Sequence, residues 1–363
     1  MAKTRLYPDD VKMLADRFQD IWRRCEDEIL LDVSRRIRTA GQVTGTAEWQ
    51  MRKLRQIQQL TDDVQGTLQR YTRMSDKELL RIFTEAGLAD LYLKDGDPNN
   101  ALLKQILSSG YDQTAGTMHN LTATTAIDLA DLFTKEMDTA WLKVESGAFT
   151  YTQATIHAAD SIADSMRVVT YPSGHKDFLE VASRRAVVTG VNQTNCRCVI
   201  QRADDWGMSF FEVSAHEGAR PEHAEWQGKI YHRGGPTVVN GKAYEDFESV
   251  TGYGTGVGLA GWNCRHTFWS FDPAVDSPTY SAKELDHLAT DTIRYEGEDM
   301  TLYELNQMQR YCERQERKQK RRALAEGTIT DETAGALASW TARRRELEKI
   351  TGHRSTRERL HTY

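Results

Sequence analysis

The sequence predicts a mainly α-helical protein with a small, compact α+β module at about residues 204–275. Three observations predict it. Apolar residues recur at i, i+3 and i+4 from Pro8 to about Met166. That period fails from Gly207 to Asp272, where short apolar runs alternate with glycine-rich turns. Capping signals and helical spacing return beyond Ser281. The division that follows is an N-terminal helical region over 1–170, a helix with a small His/Cys-containing α+β module over 171–275, and a helical tail over 276–363. A chain of 363 residues is long enough for about two domains of 100–200 residues each.

In order along the chain, Val11, Leu14, Phe18, Ile21 and Trp22 form one helical stripe, continued by Ile29, Leu30, Val33 and Ile37. Ser75-Asp76-Lys77-Glu78 has the form of a capping box and predicts a helix start before Leu79. Asp95-Gly96-Asp97-Pro98-Asn99 is a turn cluster, after which Leu102, Leu103 and Ile106 begin another helix. Helices over Ala123 to Val144 and Tyr151 to Met166 complete the helical region. Tyr171-Pro172-Ser173-Gly174-His175 predicts a turn or small hairpin, and a helix follows from about Asp177 to Arg202. Cys196 and Cys198 sit two apart on that helix, ~200° around its axis, so they cannot meet one ion. One is expected to face the core and the other to face outward.

Within the module, Phe210 to Ser214 and Lys229 to His232 read as strands. Thr237 to Lys242 reads as a tight hairpin at Asn240-Gly241. In the tail, Ser281 to Glu284 and Thr301 to Glu304 are two further capping boxes. A basic run then includes Arg314, Arg317, Lys318 and Arg321. Gly327 breaks that helix, and the last helix runs from about Asp331 to Ile350, with Gly352 as its C-terminal cap.

Composition narrows the function. Hydrophobic residues make up 39% and charged residues 28%, which suits long exposed helices beside a modest core. The formal net charge of -6 argues against a nucleic-acid binder along its whole length, though a local basic patch stays open. No stretch is apolar enough to span a bilayer, and the start, Met1 to Pro8, lacks the apolar core of a secretory signal. Five scattered cysteines do not form a disulfide framework.

Chemistry-bearing residues concentrate between Ser214 and Phe271. Pro221 places His223 on the first turn of a short helix, and His216 falls at a strand end. Cys264 and His266 share a face if their segment is extended. His216, His223, Cys264 and His266 together offer a Cys-His₃ set suited to zinc. The other reading is a metal-free polar lock, in which Arg220, Trp226, Gln227 and Asn263 tie irregular backbone together. A catalytic reading would make the histidines acid/base groups, but His216 and His223 lack the HExxH spacing of metalloproteases. The glycines of Gly252-Tyr253-Gly254-Thr255-Gly256-Val257-Gly258 lack a P-loop lysine and read as turn and close-packing positions. The nearby Trp226, Trp262 and Trp269 read as module core.

Longer strings carry a family resemblance. They are His216, Gly218-Ala219-Arg220-Pro221, His223-Ala224-Glu225-Trp226-Gln227-Gly228-Lys229, Gly252-Tyr253-Gly254-Thr255-Gly256 and Gly261-Trp262-Asn263-Cys264-Arg265-His266. With Asn120 to Ala126 and Ala182 to Val191, they resemble the phage minor capsid protein 2 family over roughly residues 1–275. That family is distantly similar to the Mu F-like head morphogenesis proteins, whose Asn-Cys-Arg-Cys string has His266 in its last position here. The resemblance implies a minor head protein of a tailed phage or prophage, made in the bacterial cytoplasm. Such a protein sits inside or at the base of the head, with the portal and other capsid proteins as partners. It would assist head assembly and DNA packaging or delivery. The basic run at Arg314, Arg317, Lys318 and Arg321 reads either as a solvated helix face or, with this resemblance beside it, as a patch that touches packaged DNA. No catalytic residue is carried over. The alternative is a metal-dependent hydrolase or nuclease carried in the virion, built on His216, His223, Cys264 and His266.

Overall fold

A computed structural model describes residues 5–39, 46–123, 125–167, 169–171 and 173–355. Of the residues singled out above, Met1 to Thr4, Thr124 and Pro172 lie outside this set, as does the end of the tail beyond 355. The first helices are α1 (Pro8–Thr39), α2 (Thr46–Glu85), α3 (Leu88–Tyr92), α4 (Asn100–Ala123), α5 (Thr125–Glu145) and α6 (Tyr151–Ser165). The hairpin β1 (Val169–Thr170) and β2 (Lys176–Asp177) leads to α7 (Leu179–Trp206). The irregular stretch then holds β3 (Phe210–Val213), α8 (Pro221–Ala224), β4 (Ile230–His232), β5 (Thr237–Val239), β6 (Lys242–Tyr244), α9 (Phe247–Thr251) and β7 (Phe268–Phe271). The tail contains α10 (Ala282–Thr290), β8 (Thr292–Tyr295), β9 (Glu298–Thr301), α11 (Leu302–Glu326) and α12 (Asp331–Thr351). The protein is mainly helical, with a few small antiparallel sheets.

The chain divides into two compact units, each assembled from separated segments. The first comprises Met1–Phe18, Lys77–Thr117 and Arg184–Met308. The second comprises Gln19–Asp76, Met118–Ser183 and Gln309–Tyr363.

The first unit is built around the sheet β4-β3-β7, all antiparallel. Phe211 and Val213 alternate with Glu212 on the central strand, so the apolar pair shares one face. That face packs on Cys196, Val199 and Ala203 of α7 and on Phe247, Phe268, Trp226 and Leu259. Phe211 meets Phe247 at 5.1 Å and Phe268 at 5.3 Å between ring centroids. Burying aromatics of this size stabilises by roughly 1.5–3 kcal/mol each. On the other face the buried Glu212 carboxylate accepts from Trp269 Nε1 at 2.8 Å, Thr279 N at 2.6 Å and Thr279 Oγ1 at 2.8 Å. Arg5 lies over the Trp269 ring at 4.5 Å, and Thr267 Oγ1 donates to Leu6 O at 2.7 Å. Segments α4 and α7 of this unit approach closely, Gly110 against the Thr194 side chain and Gly190 against that of Thr114.

In the second unit α5 packs on α6, which opens with a reciprocal box between Thr150 and Gln153. Trp22, Ile29, Leu30, Val33, Leu60, Phe133 and Ile162 are buried there. Buried ions are paired, as burial of an uncompensated charge is costly. Arg321 donates to Glu26 at 2.7 Å, Arg317 pairs with Glu180, and Glu26 accepts from Leu179 N at 2.5 Å.

Four local expectations are corrected. Ser75 lies inside α2 and donates to Thr72 O at 2.9 Å, because no breaker precedes it and the helix runs on. Cys196 and Cys198 are both buried, since α7 is covered on both of the sides they face. Thr292–Tyr295 and Glu298–Thr301 form a hairpin inside the tail expected to be helical, turning through Glu296 and Gly297 at positive φ. Trp226 and Trp269 join the interior, but Trp262 is 65% exposed and its ring covers Gly256. The hairpin at Asn240-Gly241, both at positive φ, matches its sequence signal.

Candidate functional site

Backbone geometry brings the histidine- and cysteine-bearing segments together. Pro221 opens α8, whose single turn seats His223, with His223 N donating to Arg220 O at 2.8 Å. The segment before β7 carries Cys264 and His266. It turns tightly at Asn263, which has a φ of 55°. It is pinned to the end of β3 by Ser214 N to Thr267 O at 2.8 Å and Thr267 N to Ser214 Oγ at 2.9 Å. Asn192 of α7 holds it from below, its Nδ2 donating to Cys264 O at 3.0 Å and His266 O at 2.8 Å. In the glycine-rich stretch, Gly258 passes so close to the Gly252 backbone that a Cβ there would collide with the Gly252 carbonyl.

His223, Cys264 and His266 converge. Cys264 Sγ lies 3.7 Å from His223 Nδ1 and 3.6 Å from His266 Nδ1, and the three donor atoms fall within 4.8 Å of one another. All three residues are buried, at 3%, 1% and 1% exposure. His216 is not one of the converging donors: its ring stacks on His266 at 4.3 Å and its Nδ1 faces Glu217 O at 2.9 Å. The four histidine and cysteine positions therefore divide into three donors and one ring that covers them.

The outer contacts orient the rings. His223 Nε2 lies 2.9 Å from Val257 O. Gln227 Oε1 accepts the His216 backbone N–H at 3.0 Å and faces His266 Nε2 at 3.1 Å. Trp226 packs on both rings, at 4.6 Å from His223 and 4.9 Å from His266. Arg220 donates to Trp262 O at 2.9 Å, and Asn263 N donates to Thr189 Oγ1 at 3.0 Å. Burial, and then the neighbouring His216 and His223, hold His266 well below the ordinary imidazole range. Burial lowers His223 as well, and burial followed by the Arg265 guanidinium takes His216 down to about 3. Burial raises the Cys264 thiol. The interior thus favours uncharged imidazoles and a protonated thiol.

Asn192 does not stand out in the sequence. Its only signal is a polar residue at 0% exposure in the middle of a long helix, and burial is not visible in a single chain's residues.

The four basic residues of α11 do not share one exposed surface. Arg321 is 4% exposed along its side chain and lies against Glu26, with its guanidinium 4.1 Å from the Phe178 ring centroid. Arg317 is spent on the buried Glu180. Lys318 pairs with Asp164 at 3.0 Å and is 41% exposed, and Arg314 lies over the Tyr311 ring at 5.7 Å. Two of the four therefore serve buried ion pairs inside the second unit.

The description of phage minor capsid protein 2 matches residues 6–350. The chain belongs to that family. A curated relative, the "Structural protein" of Lactococcus phage LL-H, is 31% identical over 153 residues, covering 41% of this chain and 37% of that protein. The chain thus matches little more than a third of that relative's length. No solved structure matches. Among the described residues no helix is long and apolar enough to cross a membrane.

Proposed function

We propose that this protein is a minor head component of a tailed phage, placed near the portal, where it assists head assembly and DNA packaging or delivery. The family match over residues 6–350 carries the reading. The burial of His223, Cys264 and His266 supports it: side chains that lock a loop-rich module are expected inside, whereas a hydrolase needs its catalytic groups open to substrate. Contact between α11 and packaged DNA falls in this reading to Arg314 and Lys318, because Arg317 and Arg321 are committed to Glu180 and Glu26.

The test is a phage whose gene for this protein carries an early stop codon, with complementation as control. The expected outcome is particles with normal tails but heads that lack DNA or fail to deliver it. In the parental virion, quantitative mass spectrometry should find the protein far below the major shell protein, and cross-linking should join it to the portal. Full infectivity of particles lacking the protein, or shell-like copy number, would overturn the reading.

A further inference from the structure

We propose that His223 Nδ1, Cys264 Sγ and His266 Nδ1 form a zinc site, with Val257 O and Gln227 Oε1 as the outer partners that orient the two rings. This goes beyond the head role above and does not depend on it. The argument rests on hydrogen-bond capacity and on distance.

Hydrogen-bond capacity comes first. A backbone carbonyl can only accept, so His223 Nε2 facing Val257 O at 2.9 Å must carry the proton. Gln227 Oε1 already accepts the His216 N–H, which identifies it as the amide oxygen, so His266 Nε2 facing it must also carry its proton. Each neutral imidazole has one N–H. Both Nδ1 atoms therefore present bare lone pairs to Cys264, whose thiol has a single hydrogen. One buried nitrogen is left without a donor, and buried polar atoms in native proteins are rarely left so. A cation between the three atoms satisfies all of them.

Distance comes second. Zinc–sulfur bonds of about 2.3 Å and zinc–nitrogen bonds of about 2.0–2.1 Å, at a tetrahedral angle, place sulfur and nitrogen roughly 3.5 Å apart. The two separations here are 3.7 Å and 3.6 Å. One thiolate and two imidazoles are a donor set that selects zinc over magnesium or calcium, which prefer oxygen. The outer pattern also fits, since metal-bound histidine usually gives its second N–H to a carbonyl or carboxylate. Binding converts the Cys264 thiol to thiolate and releases its proton to solvent. His216 does not enter the set; its ring, stacked on His266, shields it.

The test uses the full chain, freed of metal with a chelator and then dialysed against zinc. One equivalent of zinc per chain is expected by elemental analysis. Cobalt(II) in place of zinc should give the intense visible bands of a tetrahedral ion and a thiolate-to-cobalt charge-transfer band. This readout needs no substitution, so it holds even if variants fail to fold. Cys264→Ser should remove the charge-transfer band and the bound zinc, whereas His216→Ala should keep both. Gln227→Met should weaken zinc binding by about 10- to 100-fold in chelator competition. A parent protein that takes up no zinc, a cobalt spectrum without the thiolate band, or undiminished zinc in Cys264→Ser would each overturn the proposal.

Discussion

Asn192 shows how much a single residue can organise. Its side-chain amide satisfies two carbonyls, Cys264 O and His266 O, of a segment that has no regular strand partner at those positions. Replacing Asn192 with alanine strands both acceptors in the interior. Each unsatisfied buried group costs on the order of 1–3 kcal/mol. The expected result is a chain destabilised by at least ~2 kcal/mol in urea unfolding, with faster amide exchange across 261–268 than elsewhere in its unit. Unchanged exchange there would show that the loop holds itself. Much of this site was legible beforehand. His223 behind Pro221, and the pairing of Cys264 with His266 two residues on, follow from local backbone rules. Exclusion of His216 from the donors was not legible, because it depends on which way its ring stacks. The fate of Arg317 and Arg321 was hidden for a related reason: a basic run looks the same in sequence whether its carboxylate partners are solvent-separated or lie, as Glu26 and Glu180 do, more than a hundred residues away in the interior.

At the scale of elements, the approach of α4 to α7 within the first unit depends on glycine. A Cβ at Gly110 would collide with Thr194 Oγ1 and Cγ2, and Thr194 is held in place by donating to Gly190 O at 2.7 Å. Gly110→Ala is expected to cost about 1–3 kcal/mol through overpacking. The same change in a Thr194→Ala background should cost less, giving a coupling energy in a double-mutant cycle. Additive effects would mean that the helices simply separate. Helices and hairpins themselves were largely readable. The Asn240-Gly241 turn, the Ser281 capping box and the Gly352 cap all appear where local chemistry places them. Ser75 misled because a capping-box string states a preference, and a continuing helix with no breaker outweighs it. The β8–β9 hairpin sits between two capping boxes whose helical signal masks it, although Glu296-Gly297 carries a turn signal of its own.

At the scale of the whole molecule, one acidic pair adds a pH dependence to stability. Among the described residues, Asp160 Oδ1 and Glu326 Oε2 are buried atoms that no donor reaches, and the two carboxyls face each other. Burial, and then the Glu326 charge, push Asp160 up to about 7. A native pKa above the unfolded value means the stabilising form is the protonated one. Its contribution is complete below about pH 4, where the unfolded chain is protonated too, and is lost as pH rises through about 7. Asp160→Asn should therefore stabilise the chain at pH 8 by on the order of 1 kcal/mol after discounting for partial exposure, read from urea unfolding. The gain should vanish near pH 4. An equal gain at both pH values would assign the effect to packing instead.

The sequence by itself determined the helical class, the place of the irregular module, most of the turns and caps, and the minor capsid family. These depend on periodicity, on backbone chemistry and on long matching strings, all of which are local. Only the tertiary structure decided which side chains meet. The ion pairs of Arg317 and Arg321 join segments far apart in the chain, and the Cys264 cluster joins α8 to the stretch before β7 within one segment, so both arise from tertiary packing. No spacing rule along the sequence encodes those distances, because they are set by how the helices and sheet bury their apolar faces together.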